Sequence, residues 1–393
     1  MKQQPSYKRL KQLVFAGIIA VLFIPMIQHK FRFLEEKPLN GSFALSTKPE
    51  WTKKSWFSGE YQEKQDKYLA EHTGFYPSWV RLYNQWNFSL FDVIHANGVI
   101  AGKEHYLFEE NYISAYYGMD FAGDKKIAET SRQLKLVQDT LKKKGIDLVV
   151  ILAPGKASYV PEFIPDKYAS SKKGKTNFEG YLKAFNKQAV AYIDMHTWFE
   201  SMKRTTKHPL FSKTGIHWTA YGQFLVADSL VNYVSKSTKH EIPRLVLEKT
   251  ELSDIALIDD GDIQKGANLM FDIRDLKLAY PKFHPNRAPE KEDPKVMVVS
   301  DSFYWGLFNS NVSNWLFNNG EFWYYNEQIY PNSYTKETWA KDQDLNKKLE
   351  ENKVVFIICT DANLPRLGFG FIERAYELYY PKNKGTAFAS PLI

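Results

Sequence analysis

A chain of 393 residues with 44% apolar and 25% charged residues has the balance of a protein that buries a core, which excludes wholesale disorder. Its single cysteine, Cys359, can neither form an internal disulfide nor supply the paired thiolates of a structural zinc site. The net charge of +7 and pI near 9.0 favour anionic surroundings without naming lipid, polysaccharide or nucleic acid, and a mean hydropathy of −0.44 excludes a polytopic membrane protein while leaving room for one apolar segment.

That segment is Leu13 to Ile27, uncharged throughout and preceded by Lys2, Lys8, Arg9 and Lys11. The flanking charge keeps the N-terminus cytoplasmic and sends the remainder across the membrane. No small-x-small cleavage site follows, only Gln28-His29-Lys30-Phe31-Arg32, so an uncleaved signal anchor is expected, with a cleaved signal peptide as its rival. The expected organisation is a cytoplasmic tail over 1–11, an anchor over 12–28, a membrane-proximal helical region over 29–95 and an α/β domain over 96–393. Helical spacing marks Tyr61–Leu69 and Ser78–Phe91 within the membrane-proximal region.

The α/β pattern starts where Ile127, Leu134, Val137 and Leu141 share one helix face, stopped by Gly145 and followed by the apolar run Asp147–Ala153. Further runs at Ala189–Ile193, Val296–Val299 and Val354–Ile358, with a helix from Ala220 to about Val234, predict a doubly wound sheet with mainly parallel strands. The polar stretch Lys239–Pro294 reads as an insertion.

Two segments can carry chemistry. In Val298-Val299-Ser300-Asp301-Ser302-Phe303-Tyr304 an apolar strand ends in small and acidic residues, which would expose the Ser302 hydroxyl at a strand-to-helix turn and aim backbone N–H groups at an oxyanion; N-capping alone would select the same residues. In Lys213-Thr214-Gly215-Ile216-His217-Trp218-Thr219-Ala220-Tyr221-Gly222, His217 is the candidate base for a serine nucleophile. Asp194-Met195-His196 is a competing acid–base pair. The cluster Phe322-Trp323-Tyr324-Tyr325 would line a sugar cleft or simply pack in the core.

The Ser-Asp-Ser-Phe segment after a strand, with His-Trp-Thr-x-x-Gly upstream of it, resembles the SGNH-hydrolase-like domain of the alginate O-acetylation proteins, the AlgJ and AlgX group. Ile100–Phe108, Leu152–Ser158 and Thr360–Leu364 resemble other blocks of that family, and the likeness runs from about Leu39 to Tyr380. It implies a circularly permuted SGNH-like fold, because the histidine block precedes the serine. Ser302 and His217 take the nucleophile and base positions; Asn363 is either an oxyanion donor, in the manner of the family's asparagine block, or a turn residue, Lys156 either orients an anionic saccharide or is solvated, and Trp218 is a candidate substrate-binding residue. The family's Asp-x-His-Trp is broken here, since Gly215 stands at the acid position. Three arrangements remain: a Ser302–His217 dyad, a carboxylate from elsewhere with Asp194 as the best candidate, or a degenerate binding domain. A side chain at 215 is expected to aim at the His217 Nδ1, so an Asp there would restore the acid.

The resemblance implies O-acetyl transfer onto an extracellular or cell-envelope polysaccharide through a Ser-His acyl-enzyme, with a multispan membrane acyltransferase partner supplying the acetyl group. A polysaccharide acetylesterase and a non-catalytic polysaccharide-binding scaffold are the alternatives. No metal or diffusible cofactor is implied, and no nucleic-acid motif accompanies the charge. The domain would be tethered to the cytoplasmic membrane by one span, on its periplasmic or extracytoplasmic side.

Overall fold

The computed structural model describes residues 5–41, 44–169 and 172–381. Residues 1–4 of the expected tail and 382–393 of the expected α/β range lie outside the described residues. The chain divides into two compact units, the first made of Met1–Ala96 with Gln264–Asp272 and the second of Asn97–Ile263 with Ile273–Ile393.

The first unit is helical. Its helix Pro5–Phe31 is long and apolar enough over Tyr7–Phe31 to cross a membrane, and its most apolar 18-residue window is unburied in the protein, as a single-pass anchor would be. Shorter helices follow at Lys53–Ser58, Glu60–Glu71 and Tyr76–Phe91.

Among the described residues the second unit contains ten strands: β1 Val99–Ala101, β2 Leu107–Glu109, β3 Asp147–Ala153, β4 Tyr192–Asp194, β5 Leu245–Ser253, β6 Leu278–Pro285, β7 Val296–Ser300, β8 Phe322–Tyr324, β9 Gln328–Tyr330 and β10 Val354–Thr360. Six form the central sheet in the order β4-β3-β10-β7-β8-β9, with all neighbours parallel except the antiparallel β8–β9 edge. Strands β7 and β10 are buried along their whole length, as continuous apolar runs covered on both faces must be. One face packs the helix Asp124–Lys143, where Ile127, Leu134, Val137 and Leu141 join Val355, Ile357 and Cys359 of β10 in a single core. On the other face Phe356 meets Tyr233 of the helix Ala220–Thr238, ring centroids 5.8 Å apart. Phe322 and Trp323 of β8 are fully buried, so half of the aromatic cluster 322–325 is core.

Counted from β7, the strands run β7, β8, β10, β3, β4, and their order across the sheet becomes 2-1-3-4-5, the doubly wound order whose ligand crevice opens between the first and third strands. The covalent chain nevertheless starts at the fourth. This is a circular permutation, and it puts the crevice at the carboxyl ends of β7 and β10.

The strand expected at Ala189–Ile193 starts three residues later and ends one later, at Tyr192–Asp194, because the preceding helix runs on to Gln188 and closes with Ala189 in the left-handed region. The Lys239–Pro294 stretch holds the antiparallel β5–β6 hairpin and, between its strands, the segment Gln264–Asp272 that belongs to the first unit.

Candidate active site

Strand β7 ends on Ser300, and the chain turns at once into a 3-10 turn, Ser302–Tyr304. Asp301 makes the turn. Its Oδ1 accepts the Phe303 N–H at 3.1 Å, while its Oδ2 accepts from the Thr360 N–H (3.0 Å), the Thr360 hydroxyl (2.7 Å) and the Asn363 amide (2.9 Å). A fully buried carboxylate thus ties the end of β7 to the end of β10, and Ser302, next in sequence, is left partly exposed at the crevice.

His217 reaches it from the loop before the helix Ala220–Thr238. Its Nδ1–H donates to Asp262 Oδ2 at 2.7 Å, which leaves Nε2 as the acceptor for the Ser302 hydroxyl at 2.9 Å. The imidazole stands edge-on to Phe303, centroids 4.8 Å apart, and Phe303 is propped in turn by Trp218, whose indole N–H donates to the Phe303 carbonyl at 3.1 Å. Burial pushes the His217 pKa down, but the hydrogen bond and charge of Asp262 push it up, and the net displacement is upward.

Asp262 is the residue that sequence reasoning missed. It lies 45 positions after His217 in the stretch read as an insertion, at the start of the short helix Asp262–Ala267. Its Oδ1 accepts the N–H groups of Ile216 (2.9 Å) and Ile263 (2.7 Å), charge-assisted bonds worth about 1.5–3 kcal/mol each that fix the carboxylate before any substrate arrives. The acidic run Asp259-Asp260-Gly261-Asp262 was the only local signal, and nothing in it says which acid faces a histidine 45 residues away.

The other expected site residues stand elsewhere. Asp194 caps the helix Met195–Met202 by accepting the Thr197 N–H (2.8 Å) and hydroxyl (2.6 Å), the commonest employment of an Asp at a strand-to-helix turn. His196 pairs not with Asp194 but with Asp361, Nε2 to Oδ2 at 3.6 Å. Lys156 is buried, and its ammonium donates to the carbonyls of Leu107 (2.7 Å), Lys213 (2.6 Å) and Gly215 (2.8 Å). Burial draws its pKa down to about 7, while three acceptors match the three protons of the charged form. Lys156 therefore holds the histidine loop rather than a saccharide. Trp218 is fully buried behind that loop. Asn363 directs its amide to Asp301 at 2.9 Å and to the neighbouring Thr360 hydroxyl at 3.2 Å, beside the turn that carries Ser302.

Gly215 does not aim at the imidazole. A Cβ there would stand 2.4 Å from the Asp260 carbonyl oxygen and 2.9 Å from the Ser212 hydroxyl, so the position is walled in by the segment that delivers Asp262. The same segment clamps the loop from the other side: Asp275 accepts the Lys213 N–H (2.8 Å), the Thr214 N–H (3.2 Å) and the Thr214 hydroxyl (2.6 Å).

A permuted doubly wound sheet with a serine at its switch point, and a histidine and aspartate lined up behind that serine, defines the class as an SGNH-hydrolase-like α/β domain. Residues 99–294 match the family model of the SGNH hydrolase-like domain of the acetyltransferase AlgX, which takes in His217 and Asp262 and stops short of Ser302. A probable alginate O-acetylase AlgJ of Pseudomonas syringae is 25% identical over 34% of this chain, and that of Pseudomonas putida is 25% identical over 36%; the matches span 32% and 35% of those relatives, about a third of their length. Among solved structures, the O-acetyltransferase domain of Pseudomonas putida AlgJ covers 72% of this chain and 99% of its own at 18% identity, TM-score 0.46, and Pseudomonas aeruginosa AlgX covers 70% and 67% at 13%, TM-score 0.45. Over 99–294 the domain is thus similar to the AlgJ/AlgX group.

Proposed function

We propose that the protein transfers acetyl groups onto hydroxyls of an envelope or extracellular polysaccharide, using Ser302 as nucleophile, His217 as base and Asp262 as the group that orients it. The observation that carries this reading is the continuous line Ser302 Oγ, His217 Nε2, His217 Nδ1, Asp262 Oδ2, with contacts of 2.9 and 2.7 Å. The names of the relatives, acetylases of alginate, supply the substrate class.

In the reaction the Ser302 oxygen attacks the carbonyl of an acetyl donor while His217 takes its proton. The tetrahedral oxyanion is held by the backbone N–H of Ser302 at the start of its turn. Collapse expels the donor's alcohol or thiol, which receives the proton from His217, and leaves acetyl-Ser302. A sugar hydroxyl then loses its proton to His217 and attacks the acyl-enzyme; the serine leaves with that proton, and the sugar carries the ester. Asp262 orients the ring and stabilises the imidazolium formed twice per cycle. On the outer side of a membrane acetyl-coenzyme A is not available in solution, so a membrane-spanning acyltransferase is the source of the acetyl group in this reading. The scaffold alternative drew its force from the missing acid at 215, and Asp262 removes that reason.

The test is to incubate the purified protein with a chromogenic acetyl ester, alone and with an oligosaccharide acceptor. Acetylated oligosaccharide supports the transferase; release that is indifferent to acceptor means an esterase; neither product, from folded protein, rejects the acyl-enzyme altogether.

A further inference from the structure

The helix Tyr76–Phe91 is packed the wrong way round for a protein surrounded by water. Trp79, Leu82, Tyr83, Trp86 and Leu90 follow the 3-4-4 spacing that puts them on one stripe, yet each is 44–63% exposed, and Phe91 at the end of the helix is 64% exposed. The opposite face is the buried one, and it is the more polar: it carries Phe88 and Asn84, whose amide donates to the Ala267 carbonyl at 2.9 Å. The helix's only charged side chain, Arg81, is also turned away from the stripe and is spent on the carbonyls of Lys37 and Pro38, at 2.9 and 2.7 Å. An uncharged stripe of Trp, Tyr and Leu is therefore the face that the unit leaves outward.

What covers it is indicated by what lies at its start. Gly74, two residues before the helix, presses against the end of the membrane-crossing helix so closely that a Cβ would stand 2.2 Å from the Pro25 carbonyl and 2.7 Å from the His29 nitrogen. The apolar run ends at Ile27, and His29, Lys30 and Arg32 mark its exit from the hydrocarbon. The Trp-rich helix thus begins at the level where the span leaves the bilayer, which is where indole and phenol rings are most stable, apolar body in lipid and N–H or O–H among headgroups.

We infer that the helix Tyr76–Phe91 lies in the outer headgroup layer of the membrane, its Trp79–Leu90 stripe sunk into lipid, as a second membrane contact beside the span. The inference rests on the reading of Pro5–Phe31 as a membrane anchor. The occupant is the lipid itself, in the manner of other amphipathic helices that bury about 5–10 Å into the interface.

The full chain, reconstituted in nanodiscs of phosphatidylethanolamine and phosphatidylglycerol, carries an NBD fluorophore on one introduced cysteine at a time: Trp86→Cys, Leu82→Cys one turn earlier, Ile18→Cys in the span and Glu350→Cys on the exposed surface of the second unit. Cys359 is buried, with its thiol pKa pushed up, and stays unlabelled. Labels at 86 and 82 should be quenched several-fold more by lipids bearing a nitroxide near the headgroup than by aqueous iodide, whereas 350 should answer to iodide and 18 to nitroxides deep in the acyl chains. Positions 82 and 86 behaving like 350 would overturn the inference. If 18 is still in lipid in that case, the anchor stands and the stripe belongs to a protein partner; if 18 is in water as well, the anchor reading falls with it.

Discussion

Two histidine–aspartate pairs sit at the carboxyl edge of the same sheet, and each has a serine beside it: Ser302 bonds the histidine of the first, Ser158 the aspartate of the second. His217–Asp262 and His196–Asp361 are alike in most respects: the imidazoles are 18% and 20% exposed, both lie against a phenylalanine, and both have a pKa that burial lowers but a neighbouring carboxylate raises on balance. They differ in which ring nitrogen meets the acid. Asp262 takes Nδ1 and leaves Nε2, the outer nitrogen, for Ser302 at 2.9 Å; Asp361 faces Nε2 at 3.6 Å, while its Oδ2 is already occupied by the Gly155 N–H at 2.9 Å. In the proposed mechanism the first pair is the base and its orienting acid, whereas the second ties together β10, the loop after β3 and the helix that follows β4. An acidic partner and a raised pKa do not by themselves distinguish a catalytic histidine from a structural one.

The largest effect that tests this contrast is loss of the nucleophile. Ser302→Ala should cut acetyl-ester hydrolysis by about 10⁴-fold or more with an unchanged circular dichroism spectrum, and a folded variant of near-parental rate would take the reaction away from this crevice. Next, His217→Ala should be nearly as damaging, whereas His196→Ala should leave the rate within about tenfold and lower the melting temperature instead. The reverse ranking would exchange the two roles. Asp262→Asn comes third, with a fall of roughly 10³–10⁴-fold in kcat. Because the base must be neutral, parental activity rises as pH climbs through the raised His217 pKa; without the Asp262 charge that rise should move to lower pH. An acid limb that stays in place would mean another carboxylate sets it. In Asp361→Asn the pH–rate profile should not move, and the loss should appear as stability in mildly acidic solution, where Asp361 is ionised and His196 protonated: the histidine's contribution fades as pH rises through its raised pKa, the acid's as pH falls through its lowered one.

The smallest expected effect concerns Gly215. With the Asp260 carbonyl 2.4 Å from where a Cβ would stand, Gly215→Asp should cost about 1–3 kcal/mol of stability, read as a lower denaturation midpoint, and give no gain in rate. A faster, equally stable variant would show that the loop can re-form around an acid at 215.

The sheet was legible because its central strands are continuous apolar runs: β3, β7 and β10 fall where Asp147–Ala153, Val296–Val299 and Val354–Ile358 predict them. Ser302 and His217 stood out because each carries a local pattern, a strand end before a turn and a histidine before a helix. Asp262 carries only its place in an acidic run, which does not single it out. It stands in a polar stretch, and it acquires its neighbour only when the segment between β5 and β6 folds back over the histidine loop. Lys156, Trp218 and Asn363 were recognisable as belonging near the site, but sequence could not say whether they faced the crevice or braced it from behind. For Lys156 and Trp218 the hydrogen bonds decide, each being spent on protein groups, while Asn363 is tied to Asp301 next to Ser302.

The permuted strand order has a consequence for how the site comes into being. Strands β3 and β4 are synthesised early and β7, β8 and β9 late, yet in the sheet these two sets never touch, because β10, made last, lies between them. Its pairings with Asp147–Ala153 on one side and Val296–Ser300 on the other close loops of about two hundred and about sixty residues, contacts that form slowly. A chain emerging from the ribosome thus has β7, the strand that leads into Ser302, unpaired on one side until β10 arrives. Reactivity would arrive only with the final strand, which makes β10 the keystone of assembly as well as the floor of the crevice.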